Sequence, residues 1–492
     1  MNALKLLSKW SLGLLLFGFG LSSYANNIQI TGTSVSGSNI TFNISWENSW
    51  NTNVAPANYD AVWVFVKYQD CNTRLWSHAS LSLLSADHSA ASPLQVDPVT
   101  DGKGVFVRRS AMGGGNIAST SVTLKMTIPV GTYNYKVFGI EMVNVPQGSF
   151  KIGDSTIPSA FNELDVNNDN AISAANLGGV PASANVPLAY PVGYNSFYCM
   201  KYEISQEQYV DFLNSLTYNQ QKTHTVTDPI SESGTYAMSA TYLNRNGIMI
   251  ITSGSNSTIP AVYACDATGG VENNINDGQN TAMNMMNWND MSAYLDWAAL
   301  RPMTELEYEK SCRGVSQPRI AGEYPWGTTD INFASTTNLT NPLKPNEGYS
   351  VIVNGLCNVS VLTGYYESGV GVPLRVGFSA TGTSGRASAA AAFYGAMQMG
   401  GNISEVVVNT TTEGVTFSGV LGDGELLPNG DSNVTNWPAA ESTGMGERGG
   451  SFSQNNGVYY GNGYEYVKTS NRNFSNTNTG LRTADYGGRG VR

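Results

Sequence analysis

Cysteine, histidine and charged residues are all scarce in this chain of 492 residues. Charged residues make up 13% of the sequence, about half the usual share. Five scattered cysteines are too few for a fold built from disulfides, and without a CxxC pair a zinc site is not expected. An iron site with two histidines and a carboxylate would consume nearly the whole histidine supply. The residues concerned are Cys71, Cys199, Cys265, Cys312, Cys357, His78, His88 and His224.

Basic residues are outnumbered by acidic ones, 26 to 37, which gives a net charge of -11. No dense stripe of lysine and arginine is present, so nucleic acid is excluded as a partner. Hydrophobic residues form 41% of the chain, enough for a substantial core, and this excludes global disorder. The 53 glycines favour short strands, tight turns and ordered loops over long helices and coiled coils.

Long hydrophobic runs are absent except at the N-terminus. Residues 1–25 combine Lys5 and Lys9 with an apolar stretch and a small-x-small ending at Ala25, the pattern of a secretory signal peptide. A membrane anchor is the alternative, but the run is shorter than the roughly 20 residues that a spanning helix needs. We therefore expect a mature chain that begins at Asn26, has no transmembrane segment and is periplasmic, at the cell surface or extracellular.

Residues 26–143 show one predicted strand after another, separated by clusters of Gly, Pro, Asn and Ser. Both faces of Ala61–Tyr68 are apolar, which is typical of a central strand covered on two sides. An immunoglobulin- or fibronectin-like β-sandwich, acting as a spacer or docking module, is the prediction. The predicted strands are Ile28–Ser34, Asn39–Glu47, Ala61–Gln69, Val105–Arg109, Ser121–Ile128 and Tyr133–Met142.

Helical patterns begin only after residue 144. Ser205 and Gln208 form a predicted capping box ahead of a buried stripe, Asn289 is the predicted cap of a second helix, and Thr304 is that of a third. From about residue 315 the periodicity fades into loops and short strands. The sequence therefore predicts an α+β fold in which residues 144–492 form a loop-rich second domain.

One segment between these regions has the spacing of a calcium loop. Asp165, Asn167 and Asp169 supply oxygen ligands at positions 1, 3 and 5, but Asn170 stands where glycine is usual and Asn176 where a bidentate acid is expected. The alternative is a surface loop whose Asn and Asp side chains cap their own backbone. Both interpretations stay open, with the loop favoured.

Several separated segments, in order between residues 145 and 492, resemble the formylglycine-generating enzyme (sulfatase-modifying factor) family. The matching words are FYCMKYEISQEQY at 197–209, NWND at 287–290, RPMTELEYE at 301–309, RG at 313–314, YPWG at 324–327, YG at 394–395, GN at 401–402, RGGSF at 448–452 and GLR at 480–482. The resemblance implies a modified C-type-lectin-like fold that is rich in ordered loops.

The same resemblance raises a question about activity. In active members, two cysteines after the RGGS word hold the copper(I) ion that activates oxygen to oxidise a substrate cysteine. Here those positions are Gln454 and Tyr459, and no cysteine follows Cys357. An amide and a phenol are poor ligands for copper(I), which selects soft thiolates. We therefore expect no copper and no copper oxidase chemistry, unless another cysteine has been brought into the pocket.

The resemblance also implies calcium and structural positions. One family calcium site would fall on Gln398 and Asn402, where a neutral glutamine replaces the usual Asp or Asn. We expect Asn402 to tether loops instead. Other matched residues are expected in buried ion-pair and stacking networks that keep the fold; they are Arg301, Thr304, Glu305, Glu307, Trp326, Arg448, Arg472 and Arg482.

Three functions follow from these observations. The favoured hypothesis is an exported, non-catalytic protein that binds a protein or glycan partner or its own copies. The first alternative is a metal-dependent oxidoreductase that modifies a protein cysteine with a different metal or cysteine set. The second is a calcium-dependent glycan binder.

Overall fold

The computed structural model describes residues 27–314, 318–363, 366–368, 370–440, 442–453, 463–477 and 480–492. The fold is mixed and rich in β-structure, with few and short helices. The predicted α+β character is therefore confirmed at this level. No helix in the described part of the chain is long and apolar enough to cross a membrane.

Ten strands precede residue 146, and the six predicted strands are all among them. Alternating apolar residues made these strands predictable, whereas the short strands between residues 76 and 98 were missed. The ten are β1 (Gln29–Ser36), β2 (Asn39–Asn51), β3 (Asp60–Asp70), β4 (Trp76–His78), β5 (Ser80–Leu81), β6 (Ser89–Ala90), β7 (Leu94–Pro98), β8 (Val105–Arg109), β9 (Gly113–Thr127) and β10 (Tyr133–Val145).

The later strands are mostly two to five residues long and lie among loops. They are β11 (Phe150–Ile152), β12 (Leu164–Val166), β13 (Phe197–Met200), β14 (Ile248–Thr252), β15 (Val262–Cys265), β16 (Arg301–Pro302), β17 (Asn332–Phe333), β18 (Leu339–Thr340), β19 (Gly348–Tyr349), β20 (Leu356–Cys357), β21 (Val361–Thr363), β22 (Tyr366–Ser368), β23 (Ser404–Val408), β24 (Met445–Arg448), β25 (Tyr486–Gly487) and β26 (Gly490–Val491).

The described helices number six, with three short 3-10 turns besides. They are α1 (Ala174–Leu177), α2 (Gln206–Leu213), α3 (Tyr218–His224), α4 (Trp288–Trp297), α5 (Glu305–Arg313) and α6 (Tyr464–Val467). Ser205 and Thr304 are the N-caps of α2 and α5, as predicted. The predicted cap of α4 was wrong. Asn287, not Asn289, is its N-cap. The Asn287 side chain accepts a hydrogen bond from the Asp290 backbone N–H, and the Asp290 side chain accepts one from the Asn287 backbone N–H.

Strands β1, β2, β9 and β5 form one sheet, with β6 paired to β9, and a second sheet has the order β16-β26-β13-β10-β3-β8-β7. Strand β3 is covered on both faces, as its sequence predicted. On one face Val62, Val64 and Val66 pack into an apolar cluster with residues of β2 and β9. The other face packs against the end of α4: the Phe65 ring lies 5.2 Å from Trp297, edge to face.

Strand β10 joins the N-terminal strands to the loop-rich part of the chain. It pairs with β3 from Tyr133 to Val143 and with β13 through residues such as Met142 and Met200. The predicted boundary between residues 143 and 144 falls inside this strand. The two regions therefore share one continuous sheet, and their division into separable domains stays a prediction.

Candidate functional site

Helix α5 places three carboxylates in the buried centre of the loop-rich region. Both oxygens of Glu305 accept from Arg472, at 2.7 and 2.8 Å, and Arg448 donates to the same carboxylate at 3.1 Å. All three side chains are fully buried. Burial opposes ionisation of Glu305, yet the two guanidinium groups hold its pKa below the usual value. Glu305 is therefore a charged structural centre.

Glu309 extends this network by one helical turn. It accepts from Arg448 at 3.0 Å and from Arg313 at 3.1 Å, and it also receives the backbone N–H of Gly153. Arg313 donates onward to Glu323. Loops supply few backbone ladders, so these side chains satisfy buried polar groups that a sheet or helix would otherwise pair.

Two further motif residues connect strand β16 to the start of α5. Arg301 and Glu307 form a bidentate pair, with distances of 2.9 and 2.6 Å. The Glu307 carboxylate also accepts a hydrogen bond from the Thr304 backbone N–H, and the Thr304 hydroxyl accepts one from the Glu307 backbone N–H. These two bonds form a capping box. A bidentate guanidinium–carboxylate pair fixes both position and orientation. This pair therefore anchors strand β16 to the first turn of α5.

Arg482 and Trp326 hold distant loops. Arg482 binds both oxygens of Asp290, at 2.6 and 2.7 Å, and His224 shares that carboxylate at 3.0 Å. The Trp326 indole donates to the backbone of Asp330 and stacks on Tyr324, with ring centroids 4.9 Å apart. Each contact joins segments that are far apart in sequence or closes a loop.

Gln398 and Asn402 both bind protein groups. The Gln398 amide accepts the Gly377 N–H at 2.6 Å and donates to Ser379. Asn402 donates to Glu203 at 2.7 Å, and its oxygen accepts from the Leu374 amide at 2.8 Å and from Asn358. These bonds join the surrounding loops to the segment that follows β13 and the segment that precedes β23. Calcium at this position stays a prediction.

The calcium-like loop has similar local bonding. Asp165 pairs with Lys151 at 2.7 Å and with Arg319 at 3.0 Å, and Asp169 accepts from Asn195 at 2.6 Å. Asn168 caps the amide of Asn170, as in an Asx turn. Two cations beside the first ligand position oppose a divalent ion there. Calcium binding by Asp165, Asn167 and Asp169 stays a prediction.

The RGGSF segment begins with Arg448, a member of the buried network. The two positions at which the family has its copper-binding cysteines come after this segment. Ser451 donates to Asp485 at 3.2 Å, and the Phe452 amide donates to the Asn402 carbonyl at 2.9 Å. Gln454 and Tyr459 lie outside the described residues. Their identities come from the sequence, which places no thiol after Cys357.

The five cysteines are free, and all but Cys71 are buried. Burial raises the pKa of the Cys199 thiol to about 12, and it also raises the pKa values of Cys265, Cys312 and Cys357. Copper(I) binds thiolates, and burial disfavours the thiolate form at these four cysteines. Among the described residues, no group of three or more His, Cys, Asp or Glu side chains could hold a metal ion.

Two cavities bring together residues that the sequence interpretation missed. One, of about 320 Å³, lies where Trp50 and Asn58 of the N-terminal region meet Phe393 and Lys201. The other, of about 460 Å³, lies between β1, β10 and the start of α2. Glu207 lines the second cavity; in the sequence it stood out only as part of the matched segment at 197–209. No local sequence signal marks either cavity, because distant segments form its walls.

The amino-acid sequence is similar to that of known proteins. The model of the family described as "Sulfatase-modifying factor enzyme 1-like domain" matches residues 134–492. The formylglycine-generating enzyme of Mus musculus is 27% identical over 143 residues, which cover 28% of this chain and 35% of the mouse protein. That of Bos taurus is 50% identical over 42 residues, 8% of this chain and 10% of the bovine protein. The alignments thus span well under two thirds of either relative, whereas the family match covers most of the chain. This chain belongs to the sulfatase-modifying factor enzyme 1-like family.

Proposed function

We propose that this chain is an exported, non-catalytic member of its family that binds a protein or glycan partner or its own copies. One observation carries the proposal: the positions of the two copper-binding thiols are Gln454 and Tyr459. Burial of Cys199, Cys265, Cys312 and Cys357, which disfavours their thiolate forms, supports the absence of a replacement pair. The signal-like pattern of residues 1–25 supports export.

Retention of the buried network supports a role that depends on shape. Glu305, Glu309 and their arginine partners would be costly to maintain as charged groups in a core unless the loops they hold were needed. Their presence indicates that the loop-rich surface is kept in a defined conformation. A defined surface without a reactive centre is suited to binding.

The N-terminal strands support the same function. Two facing sheets enclose an apolar cluster, in which residues of β2 and β9 meet alternate residues of β3, and this arrangement supports an immunoglobulin- or fibronectin-like sandwich. The junction cavity adds aromatic contact area from Trp50 and Phe393. Aromatic side chains give large contact area with little loss of rotamer entropy, which favours recognition.

Oxidation of a cysteine-containing peptide tests the proposal. The purified mature chain, supplied with copper and oxygen, is incubated with the peptide, and aldehyde formation is followed by mass spectrometry. The expected result is no conversion above a protein-free control. Conversion that disappears after mutation of one of the five native cysteines would instead establish an oxidoreductase.

Restoring both thiols provides the matched control. The double variant Gln454→Cys/Tyr459→Cys is compared with Gln454→Ser/Tyr459→Ser in an anaerobic copper(I) competition titration. We expect one bound ion in the cysteine variant and none in the serine variant, because only the first has two soft ligands. Stoichiometric binding by the serine variant would contradict the proposal.

A further inference from the structure

The cavity of about 460 Å³ has two chemically different walls. Its volume falls within the roughly 300–1,000 Å³ of small-ligand sites. One wall comes from strands β1 and β10, and the other from α2 and the segment that contains Gln279. The first wall belongs largely to the N-terminal strands, so the family pattern of residues 134–492 does not by itself create the cavity.

The wall from the strands carries apolar side chains, Ile28, Ile30 and Phe138 among them, beside the polar side chains of Asn27, Gln29 and Lys136. Ile28 and Ile30 pack so closely on Gly139 that a Cβ atom there would lie 2.5 Å from Ile28 and 3.0 Å from Ile30. Phe138 also lines the cavity, and Ile275 adds an exposed aliphatic side chain. The close approach at Gly139 holds β1 beside β10 and so shapes the cavity.

The opposite wall contains acidic side chains beside hydroxyl and amide groups. Glu207 and Asp211 lie one turn apart on α2, and both line the cavity. The ammonium group of Lys136 lies 2.5 Å from the Asp211 carboxylate and neutralises it. Within the described part of the chain, the Glu207 carboxylate has neither a cation within 4 Å nor a hydrogen-bond donor. The Gln279 side-chain oxygen is also buried without a partner there.

The charge of Glu207 is unfavourable as the cavity stands. The Glu207 side chain is exposed within the cavity, but partial desolvation by the surrounding protein raises the pKa of its carboxyl, Asp211 raises it further, and Lys136 lowers it. Its place in the first turn of α2 gives some compensation from the helix dipole. A cation inside the cavity would offset the repulsion from Asp211.

We propose that this cavity binds an aliphatic cation: an ammonium or guanidinium group carried on an apolar stem, as in a lysine or arginine side chain of a partner protein. The stem would lie on Ile28, Ile30 and Phe138, and the cationic head would donate to Glu207 and Gln279. The inference goes beyond the proposed function, because it names the chemistry of a partner at a site remote in sequence from Gln454 and Tyr459. A copper-binding chain could still use this cavity, so the two proposals fail separately.

Titration calorimetry of the mature chain with Nα-acetyl-lysine methylamide tests the cavity. The neutral probe, the same compound acetylated at Nε, keeps the stem and removes the charge. We expect binding of the charged probe only. In Glu207→Gln its affinity falls on the order of tenfold, as for loss of one charge-assisted hydrogen bond. The matched control is Glu232→Gln, an exposed acid that does not line the cavity, and it leaves binding unchanged.

A second variant guards against a folding defect in Glu207→Gln. Gln279→Glu adds a carboxylate to the acceptor wall, and we expect it to tighten binding of the charged probe. Cadaverine distinguishes the source of the cation: tighter binding of blocked lysine indicates a protein partner, and tighter binding of cadaverine indicates a free amine. Equal affinity for charged and acetylated probes, or an unchanged affinity in both variants, would overturn the proposal.

Discussion

The segment around Glu305 and the segment after Ser451 belong to one family pattern but have diverged to different extents. The first keeps its acids and their arginine partners in a fully buried network. The second has an amide and a phenol where the family's thiols would stand. A buried network cannot lose one member without leaving a charge unpaired, whereas an ion-binding pair can be lost without harm to the fold. If the proposed function holds, scaffold and chemistry are separable in this fold.

The largest expected effect concerns the scaffold. Glu305→Ala leaves Arg472 and Arg448 without their shared carboxylate, and we expect a loss of about 5 kcal/mol in the free energy of unfolding, the upper end for broken buried pairs. Urea denaturation followed by tryptophan fluorescence measures it. Lys222→Met, which breaks an exposed pair with Asp228, is the control and is expected to cost less than about 1 kcal/mol. Equal effects of the two variants would remove the distinction between network and surface pairs.

The next effect concerns the contact between the N-terminal strands and α4. Phe65→Ala removes a ring that packs on Phe138 and Trp297, and we expect a loss of about 4 kcal/mol. Because β10 links both regions, the loss is expected in a single unfolding transition that includes signals from each. Two separate transitions, with only the first one shifted, would show that the regions unfold independently.

Acid stability depends on Glu447, next to the RGGSF segment. Burial, aided by Asp485, raises the pKa of this carboxyl to about 7 from an ordinary 4.5. Between these values the folded state holds a proton that the unfolded state has released, so this group's contribution is present below pH 4.5 and is lost as pH rises through about 7. The change amounts to roughly 3 kcal/mol. Denaturation at several pH values is expected to show a flatter slope in Glu447→Gln; an unchanged slope would contradict the assignment.

The smallest effect concerns the cap of α4. Asn287→Ala is expected to cost about 1 kcal/mol, because it removes the acceptor for the Asp290 amide. Asn289 lies within the first turn of α4, so Asn289→Ala is expected to lower the free energy of unfolding by less. Thermal denaturation of both variants compares them directly, and a larger loss in Asn289→Ala would argue for the cap predicted from sequence.

Much of the strand pattern was predictable because alternation is a local signal. The two apolar faces of β3 even indicated that it is covered on both sides, although they gave no sign that α4 supplies one cover. The pairing of Met142 with Met200, which fuses the two regions, depends on residues far apart in sequence. The cap of α4 was missed because two asparagines precede Asp290, and only the reciprocal bond with that acid selects Asn287.

For the candidate sites, too, the sequence predicted individual residues but not their contacts. Sequence words marked Glu305, Arg448 and Arg472, but the words could not show that these side chains share one carboxylate. Glu207 lay within a matched word, yet its importance depends on β1 and β10, which form the facing wall. Residues are predictable from motifs, whereas cavities depend on which distant segments the fold brings together.

The most direct test of the central claim is an anaerobic copper(I) titration of the wild-type mature chain beside the Gln454→Cys/Tyr459→Cys variant. The separation of scaffold from chemistry predicts no tightly bound ion in the wild type and one in the variant, with similar unfolding curves for both. One tightly bound copper(I) ion in the wild type, released when a single native cysteine is replaced, would contradict it.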